Sequence, residues 1–251
     1  MKSGKRNLCT VAAALAYTTV FSTLAEQVAR ADGLSDTETG DGSVLAIGGD
    51  GDDNGGGNGG DATAIASGSN PSQSAAAYGG VGSTYGANSG DGGNANAQAS
   101  AVDLTGSGAS ATALSVGGQG GDSFSDNSGN GGLATATASA SSSYGGPVSA
   151  SVIAEGGTGG DVWGYYQFPY PPAGGLAGNA SSVSLTNAAG GYSVGGAVSL
   201  SETAAAGNGG YSDYPNNDSS KPRGDANASL IETPIHGETD SPLPPPPSAV
   251  A

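Results

Sequence analysis

Short runs of this chain alternate small apolar and polar residues with a period of two. The clearest is Leu133-Ala-Thr-Ala-Thr-Ala-Ser-Ala-Ser141, with Ala134, Ala136, Ala138 and Ala140 on one face and Thr135, Thr137 and Ser139 on the other. That period predicts β-strands. Alanine alone favours helix, but the strict alternation, the interleaved Thr and Ser and the bounding Gly-Gly pairs override it. Similar runs stand at 61–67, 94–102, 133–141, 179–186 and 225–230. Their first in-phase alanines are Ala62, Ala95, Ala134, Ala180 and Ala226, in steps of 33, 39, 46 and 46 residues. Second runs follow at 74–78, 109–116, 147–154 and 197–203, and a glycine-rich turn and a longer loop complete each unit.

Repetition at this period predicts units that stack. A buried methyl contributes about 0.8 kcal/mol, whereas ordering one backbone residue costs roughly 1–2 kcal/mol. An isolated Ala-faced hairpin is therefore unstable, and each unit needs its neighbours. The expected fold is all-β, a stacked β-repeat or solenoid-like array with Gly-rich turns. The competing reading is disorder, which the composition also fits: 48 glycines in 251 residues, with only 6% aromatic residues.

Both ends differ from the repeat. Residues 1–31 read as an export signal, with Lys2, Lys5 and Arg6 ahead of an apolar stretch at 8–25 and Ala29-Arg30-Ala31 as the peptidase site. Cleavage is expected between Ala31 and Asp32; an uncleaved membrane anchor is the alternative, weakened by Thr18, Thr19, Ser22 and Thr23. Residues 32–60 form an acidic Gly-rich leader, 61–232 the repeat region and 233–251 a Pro-rich tail with four consecutive prolines at 244–247.

Cleavage changes the chemistry of what remains. Cys9 is the only cysteine, so the mature chain carries no disulfide and no thiolate metal site. Four of the six basic residues and one of the 22 acidic ones leave with the signal, giving two against 21 and a formal charge near −19. Such a chain repels phosphate backbones and anionic lipid, which argues strongly against nucleic-acid and membrane-surface partners and favours cations or basic partners. The partners expected from the repeat are other copies of the chain or other surface or matrix components.

Two segments, Gly117-Gly-Gln-Gly-Gly-Asp122-Ser-Phe-Ser125 and Gly156-Gly-Thr-Gly-Gly-Asp161-Val-Trp-Gly164, fit the nonapeptide Gly-Gly-x-Gly-x-Asp-x-apolar-x. They resemble RTX calcium-binding repeats, although RTX copies run in tandem and these stand 39 residues apart. The resemblance implies Ca²⁺ ligation by Asp122 and Asp161. Asp61 and Asp52 join them from the half-matches Gly56-Gly-Asn-Gly-Gly-Asp61 and Gly48-Gly-Asp-Gly-Asp-Asp53. The alternative is a glycine turn followed by a solvated Asp. More broadly, the Gly-Gly-x-Gly-Gly turns between Ala-Thr-Ala and Ser-Ala-Ser runs make the chain similar to Gly/Ala/Ser/Thr-rich repeat exoproteins of Gram-negative bacteria, which implies an extracellular or cell-surface role.

The loop at 162–172 gathers Trp163, Tyr165, Tyr166, Phe168 and Tyr170, either to stack on a sugar or partner or to cover the end of the array. The pair Thr135/Thr137 is of the kind that orders water on a flat face, but the equivalent positions elsewhere are Asn94/Asn96 and Asp61/Thr63. Catalysis has no support: His236 is the single histidine and lies in the tail. Asn179, Asn217 and Asn227 form Asn-x-Ser/Thr sequons. The expectation is a secreted, non-enzymatic structural repeat protein of the cell surface or matrix that acts by self-association. The alternatives are a calcium-responsive adhesin or carbohydrate-binding module, and a disordered spacer.

Overall fold

A computed structural model describes residues 33–52, 56–84, 89–124, 126–163, 175–212 and 226–230. The alternating runs are strands: β1 (Asp36–Gly40), β2 (Ser43–Ile47), β3 (Ala62–Ser67), β4 (Ser72–Tyr78), β5 (Ala95–Asp103), β6 (Ala109–Val116), β7 (Ala134–Ser142), β8 (Val148–Glu155), β9 (Val183–Thr186), β10 (Ala189–Ser193), β11 (Val198–Ala205) and β12 (Ala226–Ser229). Successive strands alternate between two five-stranded sheets. Sheet I has the order β1-β3-β5-β7-β10 and sheet II the order β11-β8-β6-β4-β2, every pair in them being parallel. A two-stranded ladder, β12-β9, is hydrogen-bonded to neither sheet but buries Val183 and Leu185 in the same core.

This corrects the expected β-solenoid, the stacked array with glycine turns. What forms is a compact domain of two parallel sheets face to face, with no helix among the described residues. The physical reason is that a methyl-lined face is too thin to be covered by its own ribbon; it is buried by the methyl face of the other sheet. Ala62, Ala95 and Ala134 pair in register along sheet I. Ala46, Ala64, Ala77, Ala97, Ala113, Val152 and Ala154, drawn from both sheets, have no measurable exposure. Because the core side chains are small, Cα atoms of β5 and β6, on opposite sheets, come within 8 Å, closer than the ~10 Å usual for packed sheets. The expected phase fails at the fourth unit. Ala180 lies outside any strand, β7 pairs with β10, and Ala226 pairs with Val183.

The glycine tracts are a second correction: most are packed elements, not turns. Glycines at three-residue spacing (90/93, 118/121, 129/132, 157/160) each face residues three apart in one neighbouring segment, the period of polyproline II. Their main chains bond from segment to segment. Gly60 N donates to Gly49 O, Gly80 N to Gly60 O, Gly93 N to Gly80 O, Gly118 N to Gly93 O, Gly132 N to Gly118 O and Gly157 N to Gly132 O, all at 2.7–2.9 Å. A parallel row runs three residues away through Gly90, Gly121, Gly129, Gly160, Gly178 and Gly210. Their φ angles are not positive, so glycine is required here for close approach and not for handedness. Left-handed backbone is confined to other sites, among them the corners joining the sheets, at Gly106, Gly108, Gly145 and Gly195.

One corner holds a buried charge. Asp103, Ser142 and Ser193 occupy one register position at the end of sheet I. The Asp103 carboxylate accepts from the Thr105 amide and hydroxyl (both 2.8 Å), the Gly108 amide (2.9 Å) and the Ser142 hydroxyl (2.7 Å). Burial pushes its carboxyl up, but those hydrogen bonds outweigh it and hold the group well below the usual carboxylate range. The unfolded chain therefore takes up the proton first. The stabilisation is complete above about pH 5 and is lost progressively as pH falls through and below the ordinary carboxylate range. Asp103→Asn is expected to flatten the fall in Tm between about pH 5 and pH 2 relative to the parent chain; an unchanged slope in thermal melts contradicts this assignment.

Candidate functional site

Residues flanking the glycines bind one repeat to the next. Asn58 Oδ1 accepts the Asp91 amide, Asp91 Oδ1 the Asn130 amide, and Asn130 Oδ1 the Asn179 amide, at 2.7–3.0 Å. A neighbouring column runs from Asp61 Oδ1 to the Asn94 amide (2.7 Å) and from Asn94 Oδ1 to the Leu133 amide (2.9 Å). The sequence reading missed these columns. Their signal is the pentapeptide Gly-Asx-Gly-Gly-Asx, present as Gly57-Asn-Gly-Gly-Asp61 and Gly90-Asp-Gly-Gly-Asn94.

Asp122 and Asp161 belong to a third column. Asp122 Oδ1 accepts the Asp161 amide (2.8 Å), and Asp161 Oδ1 accepts the Tyr211 amide (2.9 Å). Their main-chain carbonyls receive the hydroxyls of Ser89 and Ser128, each at 2.6 Å. Asp122 and Asp161 thus share a column, Asp61 stands in a different one, and Asp52 is exposed near the start of the described chain. Among the described residues no three His, Cys, Asp or Glu side chains converge as a metal site. Since Asn and Asp exchange freely along these columns, Asp122→Asn plus Asp161→Asn is expected to preserve stability. The corresponding alanine pair should cost about 1 kcal/mol per lost bond. Chemical denaturation with and without Ca²⁺ checks this, and a stabilisation by Ca²⁺ that the Asn pair abolishes would instead establish ligation.

A polar groove of about 350 Å³ lies beside the first two columns, lined by Asn58, Asp61, Asp91, Asn94, Asn130 and the glycines between them. No described residue bonds Asp61 Oδ2, Asp91 Oδ2 or the Asn58 and Asn94 side-chain amides. The groove thus presents acceptors and donors over a floor of bare backbone.

Trp163 is 40% exposed, its amide bonded to Ser123 O at 2.8 Å, and follows Val162, which is fully buried against Ala177. Tyr165, Tyr166, Phe168 and Tyr170 lie outside the described residues, as do Ala31, Asp32 and His236. On the outer face of sheet I, register aligns Thr37, Thr63, Asn96 and Thr135 in one row and Thr39, Ile65, Gln98 and Thr137 in the next. The leader segment thus supplies two threonines that belong to the same face.

Carboxylates mark both ends of the strand stack. Asp36, buried in the edge strand β1, accepts the Ile47 amide at 2.9 Å. Glu202, in the opposite edge strand β11, accepts the Ala189 amide at 2.9 Å. Near the first end Asp41 accepts from Gln73 Nε2, the Asn70 amide and the Ser69 amide and hydroxyl, led by Gln73, which lowers its carboxyl pKa. Inward-turned charge on edge strands opposes extension of the ladders by another chain.

No described helix is long and apolar enough to cross a membrane. No protein-family model, no curated protein and no solved structure matches this chain.

Proposed function

We propose that the chain is a secreted structural protein of the cell surface or extracellular matrix that acts by self-association. The observation that carries this reading is the unbroken main-chain bonding from repeat to repeat. Both sheets and the glycine rows tie each unit to the next across the described array. Such an element is stiff, and it offers broad flat faces. Sedimentation velocity over a range of concentrations tests the reading: a concentration-dependent rise in mass is expected, and a monomer throughout would overturn it.

A carbohydrate-binding role is favoured as the second reading by the groove. The carboxylate oxygens of Asp61 and Asp91, beside the amides of Asn58 and Asn94, suit the paired hydroxyls of a neutral sugar. Affinity electrophoresis in dextran and in soluble cellulose derivatives tests it; retardation lost in Asp91→Ala is the expected sign.

A further inference from the structure

We infer that the outer face of sheet II is the self-association surface and that its occupant is the same face of a second copy, packed across a two-fold axis. The inference rests on the proposed self-association and says where it takes place.

The two sheets differ on their outer sides. Sheet I is mostly polar on its outer side, with Ile65, Val102 and Tyr192 as the apolar exceptions. On sheet II, register runs Leu45, Ala76, Leu114, Ile153 and Thr203 in one row and Ile47, Tyr78, Val116, Glu155 and Ala205 in the next, so apolar side chains fill most of both. Beside them run rows of hydroxyls, with Ser110 Oγ and Ser149 Oγ 3.3 Å apart. A strand turned only to water has no need of leucine and isoleucine in register on its outer side.

Charge does not separate the two faces, since the outward positions of β3, β5, β7 and β10 in sheet I carry no carboxylate; it leaves sheet II free to pair. The chain is strongly acidic, yet among the outward positions of sheet II only Glu155 is ionisable as a carboxylate. Depletion of charge around an apolar centre is the mark of an interface core. The carboxylates turned inward on β1 and β11 oppose end-to-end growth. The remaining route is face to face, and a two-fold arrangement closes on itself without forming a fibre.

The area suffices. Five strands about 4.8 Å apart and five to eight residues long at about 3.3 Å each cover roughly 570 Å². Two such faces bury about 1,100 Å², above the roughly 1,000 Å² that a specific interface needs.

The test is sedimentation velocity of the purified chain and two double variants. Leu114→Asp plus Ile153→Asp places charge on the proposed face; Gln98→Asp plus Thr137→Asp places it on the outer face of sheet I. The sheet II pair is expected to weaken dimerisation at least tenfold and the sheet I pair less than twofold. Leu114→Ser plus Ile153→Thr, which uses residue types already present on that face, guards against misfolding and is expected to weaken it several-fold with an unchanged circular dichroism spectrum. Dimerisation that persists in both sheet II variants, or is lost equally in the sheet I pair, overturns the face assignment and leaves self-association standing. A parent chain that stays monomeric at every concentration overturns both.

Discussion

Gly93→Ala is expected to lower Tm by about 10 °C, the equivalent of about 4 kcal/mol for a chain of this size. A Cβ on Gly93 would fall inside the carbonyl oxygen of Gly60 and crowd that of Gly59. Neither neighbour can yield, because each is main chain held by hydrogen bonds of its own: Gly60 N to Gly49 O at 2.7 Å, Gly59 N to Asp91 O at 2.8 Å. Gly93 itself links two segments, donating to Gly80 O and accepting from Gly118 N, both at 2.8 Å. Relief requires spreading the layer and weakening several bonds at once. Gly118→Ala should behave alike, since its Cβ would meet the Gly80 carbonyl in the same way. Gly190→Ala is the control. It lies in β10, and its Cβ would meet only Ala138 O at 4.0 Å. With fewer conformations to lose on folding, that variant should gain about 0.5 kcal/mol. Thermal melts of the three variants decide the matter. Equal behaviour at positions 93 and 190 would mean that the glycine layer is not packed as described.

Ala97→Leu should cost about 3 kcal/mol through overpacking. Ala97 is fully buried in β5 and sits in register between Ala64 and Ala136, so alanine flanks it on both sides. Cα atoms of β4 and β6, in the opposite sheet, come within 8 Å of β5, so an isobutyl group at a fully buried position forces the sheets apart. Parting them at one level strains the ladders above and below, which share the same spacing. Gln98→Leu, one residue along and on the exposed side, should change stability by less than 0.5 kcal/mol. Urea denaturation of both variants checks the contrast. Where the protein itself places larger residues in the core, it makes room. Val198 and Leu200 in β11 lean toward Gly191, where a Cβ would lie 2.8 Å from each of them.

Much of the strand layer was legible because its signal is local. Period-two alternation in 133–141 is visible without any partner, and β7 covers nearly the same residues. The break in phase at Ala180 was not legible. Val183 and Leu185 alternate as well as any alanine run and are buried at 2% and 4% exposure, yet sheet I continues through β10. For the candidate site, Asp122 and Asp161 were singled out from sequence and do share a column, but their amide partners lie 39 and 50 residues away. Asn58, Asn94 and Asn130, which perform the same task, carry no charge and so lack the mark of a candidate metal ligand.

Sequence by itself determined the pleat, the small size of the buried residues and the acidity, because each is a property of single residues or of near neighbours. Tertiary structure decided that two methyl faces meet, that glycine tracts pack as a hydrogen-bonded layer, and which outer face is apolar. Those outcomes depend on register between segments 31 to 50 residues apart. A glycine that turns and a glycine that packs are the same letter, and only the carbonyl of a distant neighbour distinguishes them.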